Sequence, residues 1–220
     1  LKAPAPLEAD YFCSRCRTPF LNASPLDDAG RCGLCSHGFT PFDAAYAYGA
    51  YEGVLRELIH LFKYGRVRTL ARPLADLLVA ALPREERFDA IAAMPMHWLR
   101  RWQRGFNQTD LLARELSRRT AIPMTRAVRR ARRTPPQAGL TSGGRRANVS
   151  GAFAVRKASS LQGKRILLLD DVLTTGATVA ACAATLKRAG AERVTVLVLA
   201  RVDRRVFVRG RNQATGGQSG

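Results

Sequence analysis

No stretch of this 220-residue chain approaches the roughly 18 consecutive apolar residues of a membrane span, and residues 1–4 (Leu-Lys-Ala-Pro) lack the apolar core of a signal peptide. The expectation is a cytoplasmic protein with no membrane insertion, although the chain opens on Leu1 rather than Met and its true start is left open. Neither a Walker A pattern nor G-x-G-x-x-G occurs, which argues against an ATPase and a Rossmann dehydrogenase. No internal repeat is evident. Acid is scarce: 17 Asp and Glu face 36 Lys and Arg, for a formal net charge of +19. What is present in quantity is apolar, at 46%, enough to bury a real core and to exclude disorder or a fibrous repeat as the main state.

The charge is concentrated. Residues 100–146 hold thirteen Arg and no Lys against Asp110 and Glu115, so this stretch carries +11 of the +19. Such a cluster suits a polyanion, either a phosphorylated metabolite or nucleic acid. The other reading is drift, because Arg outnumbers Lys 31 to 5 in an Ala-rich chain, as a GC-rich genome produces.

Four of the five cysteines form two C-x-x-C pairs, Cys13/Cys16 and Cys32/Cys35, with fifteen residues between them. That spacing lets two thiolates from each knuckle converge on one tetrahedral Zn²⁺, which would replace the core that this apolar-poor segment lacks. Two disulfides are the alternative, disfavoured where thiols stay reduced. His37, two residues past Cys35, is a substitute ligand or a surface residue; Cys182, in an Ala-rich helical stretch, reads as a small buried side chain.

Past the knuckles the pattern alternates. A strand is expected over 45–51, helices over 54–62 and 70–82, a strand over 88–94, a helix over 107–119, and buried strands over 165–169 and 194–200. Apolar strands alternating with helices specify an α/β fold with a mostly parallel sheet covered on both faces. The segment 137–151, with four glycines and Arg145-Arg146, reads as a lid or as disorder; the tail from 204 reads as unpacked.

The chemistry gathers in residues 166–178, Ile-Leu-Leu-Leu-Asp-Asp-Val-Leu-Thr-Thr-Gly-Ala-Thr. An apolar strand ends in Asp170 and Asp171, and Thr174, Thr175, Gly176, Ala177 and Thr178 open a helix running to Gly190. Backbone N–H groups and hydroxyls at a helix start cradle a phosphate monoester, and two acceptor-only carboxylates suit the vicinal hydroxyls of a ribose. A sugar phosphate fits both halves.

This stretch resembles the phosphoribosyl pyrophosphate (PRPP) motif of the type I phosphoribosyltransferases. With the paired knuckles, and with Tyr51-Glu52-Gly53, Leu61-Phe62-Lys63-Tyr64, Met94-Pro95-Met96-His97, Arg104-Gly105-Phe106-Asn107-Gln108 and the run from Gln137 through Asn148 to Phe153, the chain resembles the ComF family of competence-associated proteins over about residues 11–202. The resemblance implies a small zinc-ribbon-like domain (1–44), a type I phosphoribosyltransferase-like domain with a mostly parallel sheet flanked by helices (45–203), and a disordered tail (204–220). It implies that Asp170 and Asp171 hold the ribose hydroxyls, that Thr174 to Thr178 take the 5-phosphate, and that Arg101, Arg104, Arg145, Arg146 and Asn148 serve the pyrophosphate. Arg104 to Gln108 would place a charge and two amides at a helix start, again suited to anions. His97 is a hydrogen-bonder or a catalyst, and Trp98 and Trp102 are packing anchors or base-stacking platforms. The implied activity is transfer of the phosphoribosyl group, or hydrolysis of PRPP, with Mg²⁺ and a structural Zn²⁺. The alternative is a non-catalytic competence factor that binds single-stranded DNA, works beside a helicase and keeps the PRPP pocket as sensor or relic. Acceptor base and oligomeric state are not legible.

Overall fold

In the computed structural model the chain is described over residues 3–96 except 8, 21, 24, 39 and 66, over 106–131 and 151–156, and over 158–202. A five-stranded sheet is its centre: β3 (Ala44–Ala50), β4 (Ala90–Ala93), β5 (Met124–Thr125), β8 (Arg165–Leu173) and β9 (Arg193–Arg201), in the order β3-β9-β8-β4-β5. Every pairing in it is parallel.

Both faces of such a sheet must be covered, which is why β8 and β9 are almost continuously apolar. Alternate residues of β8 enter two separate cores. Ile166 and Leu168 meet Val194, Val196, Val179 and Leu186 on one side. Leu167 and Leu169 meet Leu197, Leu199 and the apolar stripes of three helices on the other. Those helices are α2 (Gly53–Tyr64), α3 (Ala71–Ala81) and α4 (Gln108–Thr120), whose buried residues recur at helical spacing, as Leu55, Ile59 and Phe62 do on α2. The first face is covered by α5 (Ala177–Arg188). Its end is the expected glycine stop: Gly190 has φ +95°, its N–H bonds Lys187 O at 3.0 Å, and Ala191 N–H bonds Leu186 O at 3.1 Å.

The N-terminal segment, with β1 (Tyr11–Phe12), β2 (Pro19–Phe20) and a single helical turn α1 (Gly33–Ser36), lies on the α5 face. Cys13, Cys16, Phe20, Cys32 and Cys35 are buried in the same cluster as Ile166, Val196 and Val198. Ala45 N–H bonds Cys16 O at 3.0 Å, and the Arg201 guanidinium stacks 4.0 Å above the Phe20 ring.

Three features depart from the sequence reading. The strand expected over 165–169 continues to Leu173, because β9 is equally long and keeps pairing Asp170 with Val198 and Leu173 with Arg201. Asp170 and Asp171 therefore lie within the strand. The two-residue β5 and the antiparallel pair β6 (Val128–Arg130) and β7 (Phe153–Val155) were not expected. The β6–β7 pair brackets the long segment, with Ala131 N–H bonding Ala152 O at 2.8 Å. Of 137–151 only Gly151 is among the described residues, and the tail from 204 lies outside them.

Candidate functional site

From the adjacent strands β4 and β8 the chain leaves in opposite directions, through α4 to β5 and through α5 to β9. Right-handed crossovers then put α4 and α5 on opposite faces, and a crevice opens at the carboxyl ends of the two strands. It is a cleft of about 350 Å³, and its walls include Asp170, Asp171, Thr174, Gly176 and Thr178 of the expected motif. Across from them stand Met94, Pro95 and Met96, which follow β4.

The two acids have unlike surroundings, because neighbouring residues of a strand face opposite sides. Asp171 turns toward α2, where Lys63 Nζ lies 2.8 Å from its carboxylate, both side chains mostly buried. Asp170 turns toward α5. Protein packed around it pushes its carboxyl up to about 7, the Asp171 charge adds to the rise, and Asp171 N–H, Lys63 and Arg130 oppose it. Beneath it the Cys182 thiol is fully buried, as expected, and is pushed up by that burial and by the Asp170 charge. The site thus holds one acid near neutrality and one committed to an ion pair.

Beside the acids the chain turns into α5 at Gly176, whose φ of +76° a side chain would resist. Ala180 N–H closes the first helical bond to Gly176 O at 2.8 Å. A helix cannot satisfy all its own first-turn N–H groups, so this end offers donors and a positive dipole to an anion, with Thr174 and Thr178 on the cleft wall. Thr175 instead borders the space on the knuckle side, and its Oγ1 accepts from Ala177 N–H at 3.4 Å.

Several cleft residues went unassigned in the sequence. Lys63 and Tyr64 end α2 and line the cleft, as does Thr109 at the start of α4; Asn107, expected as an anion-suited amide, lines it too. Thr109 Oγ1 lies 2.8 Å from both Met94 O and Asn107 Oδ1, fixing the chain after β4. Gln108, fully buried, donates to Lys63 O at 3.3 Å. Its amide therefore holds α2 in place and does not face an anion, which corrects that part of the Arg104–Gln108 reading. Arg130 also lines the cleft, 5.5 Å from the Phe153 ring centroid. A run of arginines at 129–133 hid it; only its place on β6 singles it out.

The four cysteines of the knuckles are buried, with all sulfurs within 4.8 Å of one another. Cys32 N–H points at Cys13 Sγ at 3.2 Å, the Thr40 hydroxyl donates to Cys35 Sγ at 2.8 Å, and Thr18 Oγ1 lies 2.8 Å from Cys16 Sγ. A hydrogen bond from Cys16, helped by the N–H groups of Cys35 and Leu34, lowers the Cys32 thiol to about 5. The same bond, with burial, raises Cys16, and burial raises Cys35 to about 11. Four converging sulfurs that receive hydrogen bonds fit a tetrahedral Zn²⁺, which would take the place of their protons. His37 is not needed: it is exposed, with Nδ1 2.7 Å from Gly33 O.

His97, Trp98, Arg101, Trp102, Arg104, Arg145, Arg146 and Asn148 lie outside the described residues. No helix among the described residues is long and apolar enough to cross a membrane.

A family model described as phosphoribosyl transferase domain matches residues 104–209. The chain is similar to competence protein F of Haemophilus influenzae, 35% identical over 181 residues that make up 79% of either chain. It is similar to DNA utilization protein YhgH of Escherichia coli, 36% identical over 177 residues and 77% of either chain. Among solved structures, an adenine phosphoribosyltransferase from Thermoanaerobacter pseudethanolicus is 22% identical, with 69% of this chain and 77% of that one covered at a TM-score of 0.42.

Proposed function

Because this chain belongs to the ComF/YhgH family, with a phosphoribosyltransferase-like α/β domain and an N-terminal four-cysteine cluster, we propose that its cleft binds PRPP and transfers the phosphoribosyl group to an acceptor or to water. The observation that carries this reading is the meeting, in one cleft at a strand switch point, of two unlike carboxylates and an anion-binding helix start.

In this reading residues 174–178 hold the 5-phosphate through the first-turn N–H groups of α5 and the hydroxyls of Thr174 and Thr178. Asp170 and Asp171 accept hydrogen bonds from the ribose hydroxyls. As the bond from the anomeric carbon to pyrophosphate breaks, pyrophosphate leaves with the electron pair. The sugar then gains positive charge, which nearby carboxylates favour. The acceptor's lone pair forms the new bond, and the proton it then sheds passes to solvent or to the departing pyrophosphate. Two carboxylates of this kind are hard oxygen donors that suit Mg²⁺, which would neutralise charge on the departing pyrophosphate. Lys63 is a further cation at the same end of the cleft. Arg101, Arg104, Arg145, Arg146 and Asn148 remain proposed pyrophosphate contacts. Zn²⁺ on Cys13, Cys16, Cys32 and Cys35 would be structural, and a cytoplasmic setting, where thiols stay reduced, suits it.

A second reading rests on the +11 stretch and on the relatives' names: the protein binds single-stranded DNA, with a helicase as partner, and the cleft senses PRPP without turning it over. One experiment separates the two. Protein, PRPP and Mg²⁺ are incubated with a panel of bases and single-stranded DNA, and both PRPP binding and pyrophosphate release are measured. Release above the protein-free rate that Asp170→Asn with Asp171→Asn removes supports the enzyme. PRPP binding without release supports the sensor, and neither binding nor release overturns both accounts of the cleft.

A further inference from the structure

The motif loop at residues 174–176 is a thin partition. On one side lies the cleft; on the other, a void of about 30 Å³ separates it from the cysteine knuckle. Thr174 and Gly176 border both spaces, while Thr18, Cys32, Gly33 and Leu34 of the knuckle form the far wall of the void. One side chain bridges the gap. A Cβ placed on residue 176 would come within 2.6 Å of Leu34 Cδ1, so Leu34 presses on the bare Cα face of Gly176.

Leu34 lies between two of the four cysteines, in a helical turn that begins after Cys32 and contains Cys35. Ser36 N–H bonds Cys32 O at 2.9 Å, and Gly38 N–H bonds Cys35 O at 3.1 Å. A single turn of four residues has no stability of its own, because helix nucleation is unfavourable. What fixes the direction of Leu34 is the convergence of the sulfurs on either side of it. Phe20, Pro25, Phe42 and Arg201 also line the space behind the loop, and Leu34 is set apart from them by its close approach to Gly176.

We infer that Leu34 is a positioning residue for the phosphate-binding loop, through which the four-cysteine site holds that loop in its anion-binding form. The inference rests on the PRPP reading of the cleft and names what sets the 5-phosphate half of that site. Its signature is selectivity: disturbing Leu34 weakens ligands held by the loop and spares those held elsewhere in the cleft.

Calorimetric titrations with ribose 5-phosphate and with Mg²⁺-pyrophosphate test it, alongside zinc content. Leu34→Ala should keep one zinc per chain, bind ribose 5-phosphate on the order of tenfold more weakly and bind pyrophosphate as the unaltered protein does. Leu34→Met, which conserves volume, should restore ribose 5-phosphate binding to within about threefold. Stripping zinc from the unaltered chain should reproduce the selective loss and add little to that of Leu34→Ala. If Leu34→Ala fails to retain zinc, Leu34→Val is measured instead, with the same selective loss expected. Unchanged ribose 5-phosphate affinity overturns the inference, and so does an equal loss for both ligands, which marks general deformation. Should the unaltered, zinc-loaded protein bind neither ligand, the PRPP reading itself fails, an outcome distinct from a variant that binds like its parent.

Discussion

Asp170 is costly where it stands. Its carboxyl is raised from 3.8 to about 7, so the folded protein binds a proton over a range in which the unfolded chain releases it. The stability associated with that proton is full below about pH 4 and lost as pH rises through about 7. Asp170→Asn should therefore melt a few degrees above the parent at pH 8, with the gap closing toward pH 4, in melting curves taken across that range. Binding runs the other way. If Mg²⁺-PRPP binds through the carboxylate, as proposed, its affinity should rise with pH through about 7 in the parent, and Asp170→Asn should flatten the profile. Lys63 lowers the Asp170 carboxyl, so Lys63→Met should move that inflection to higher pH. Gly176 makes a second residue-scale case. Its φ of +76° costs an L residue about 1–2 kcal/mol, and the new methyl would meet Leu34. Gly176→Ala should lower the melting temperature and weaken ribose 5-phosphate more than pyrophosphate.

At the scale of elements, α2, α3, α4, α5, β8 and β9 were legible because each carries its own signal, a helical stripe or an unbroken apolar run bounded by turn residues. The knuckle pairs were legible through spacing alone. β5, two residues long, and the β6–β7 pair were not, since Val128-Arg129-Arg130 reads as part of a charge run and its partner lies more than twenty residues on. Lys63 and Arg130 went unassigned for the same reason: their roles arise from where α2 and β6 dock, which no local pattern encodes. The knuckle, expected as a small domain at 1–44, shares its buried cluster with β8 and β9. Cys32→Ser should consequently remove the zinc and lower the melting temperature in one cooperative transition, by at least ~5 °C. A separate early transition in calorimetry, with the main one unmoved, would mean that the knuckle folds on its own.

For the whole molecule, the question is what the +11 stretch does beyond serving the cleft. Arg130 lines the cleft, so it is left intact in the test of the basic stretch. If single-stranded DNA lies along this stretch, log affinity should fall with log salt by roughly 0.7 per phosphate neutralised. Arg129→Ala with Arg132→Ala and Arg133→Ala should shallow that slope for all sequences alike and leave PRPP binding intact. The reading of the cleft is tested most directly by a calorimetric titration of the zinc-loaded protein with Mg²⁺-PRPP at pH 8, beside Asp170→Asn with Asp171→Asn. The account predicts saturable binding of one PRPP per chain, abolished in a double variant that remains folded. Absence of binding in the parent at millimolar PRPP, or equal binding in the double variant, would contradict it.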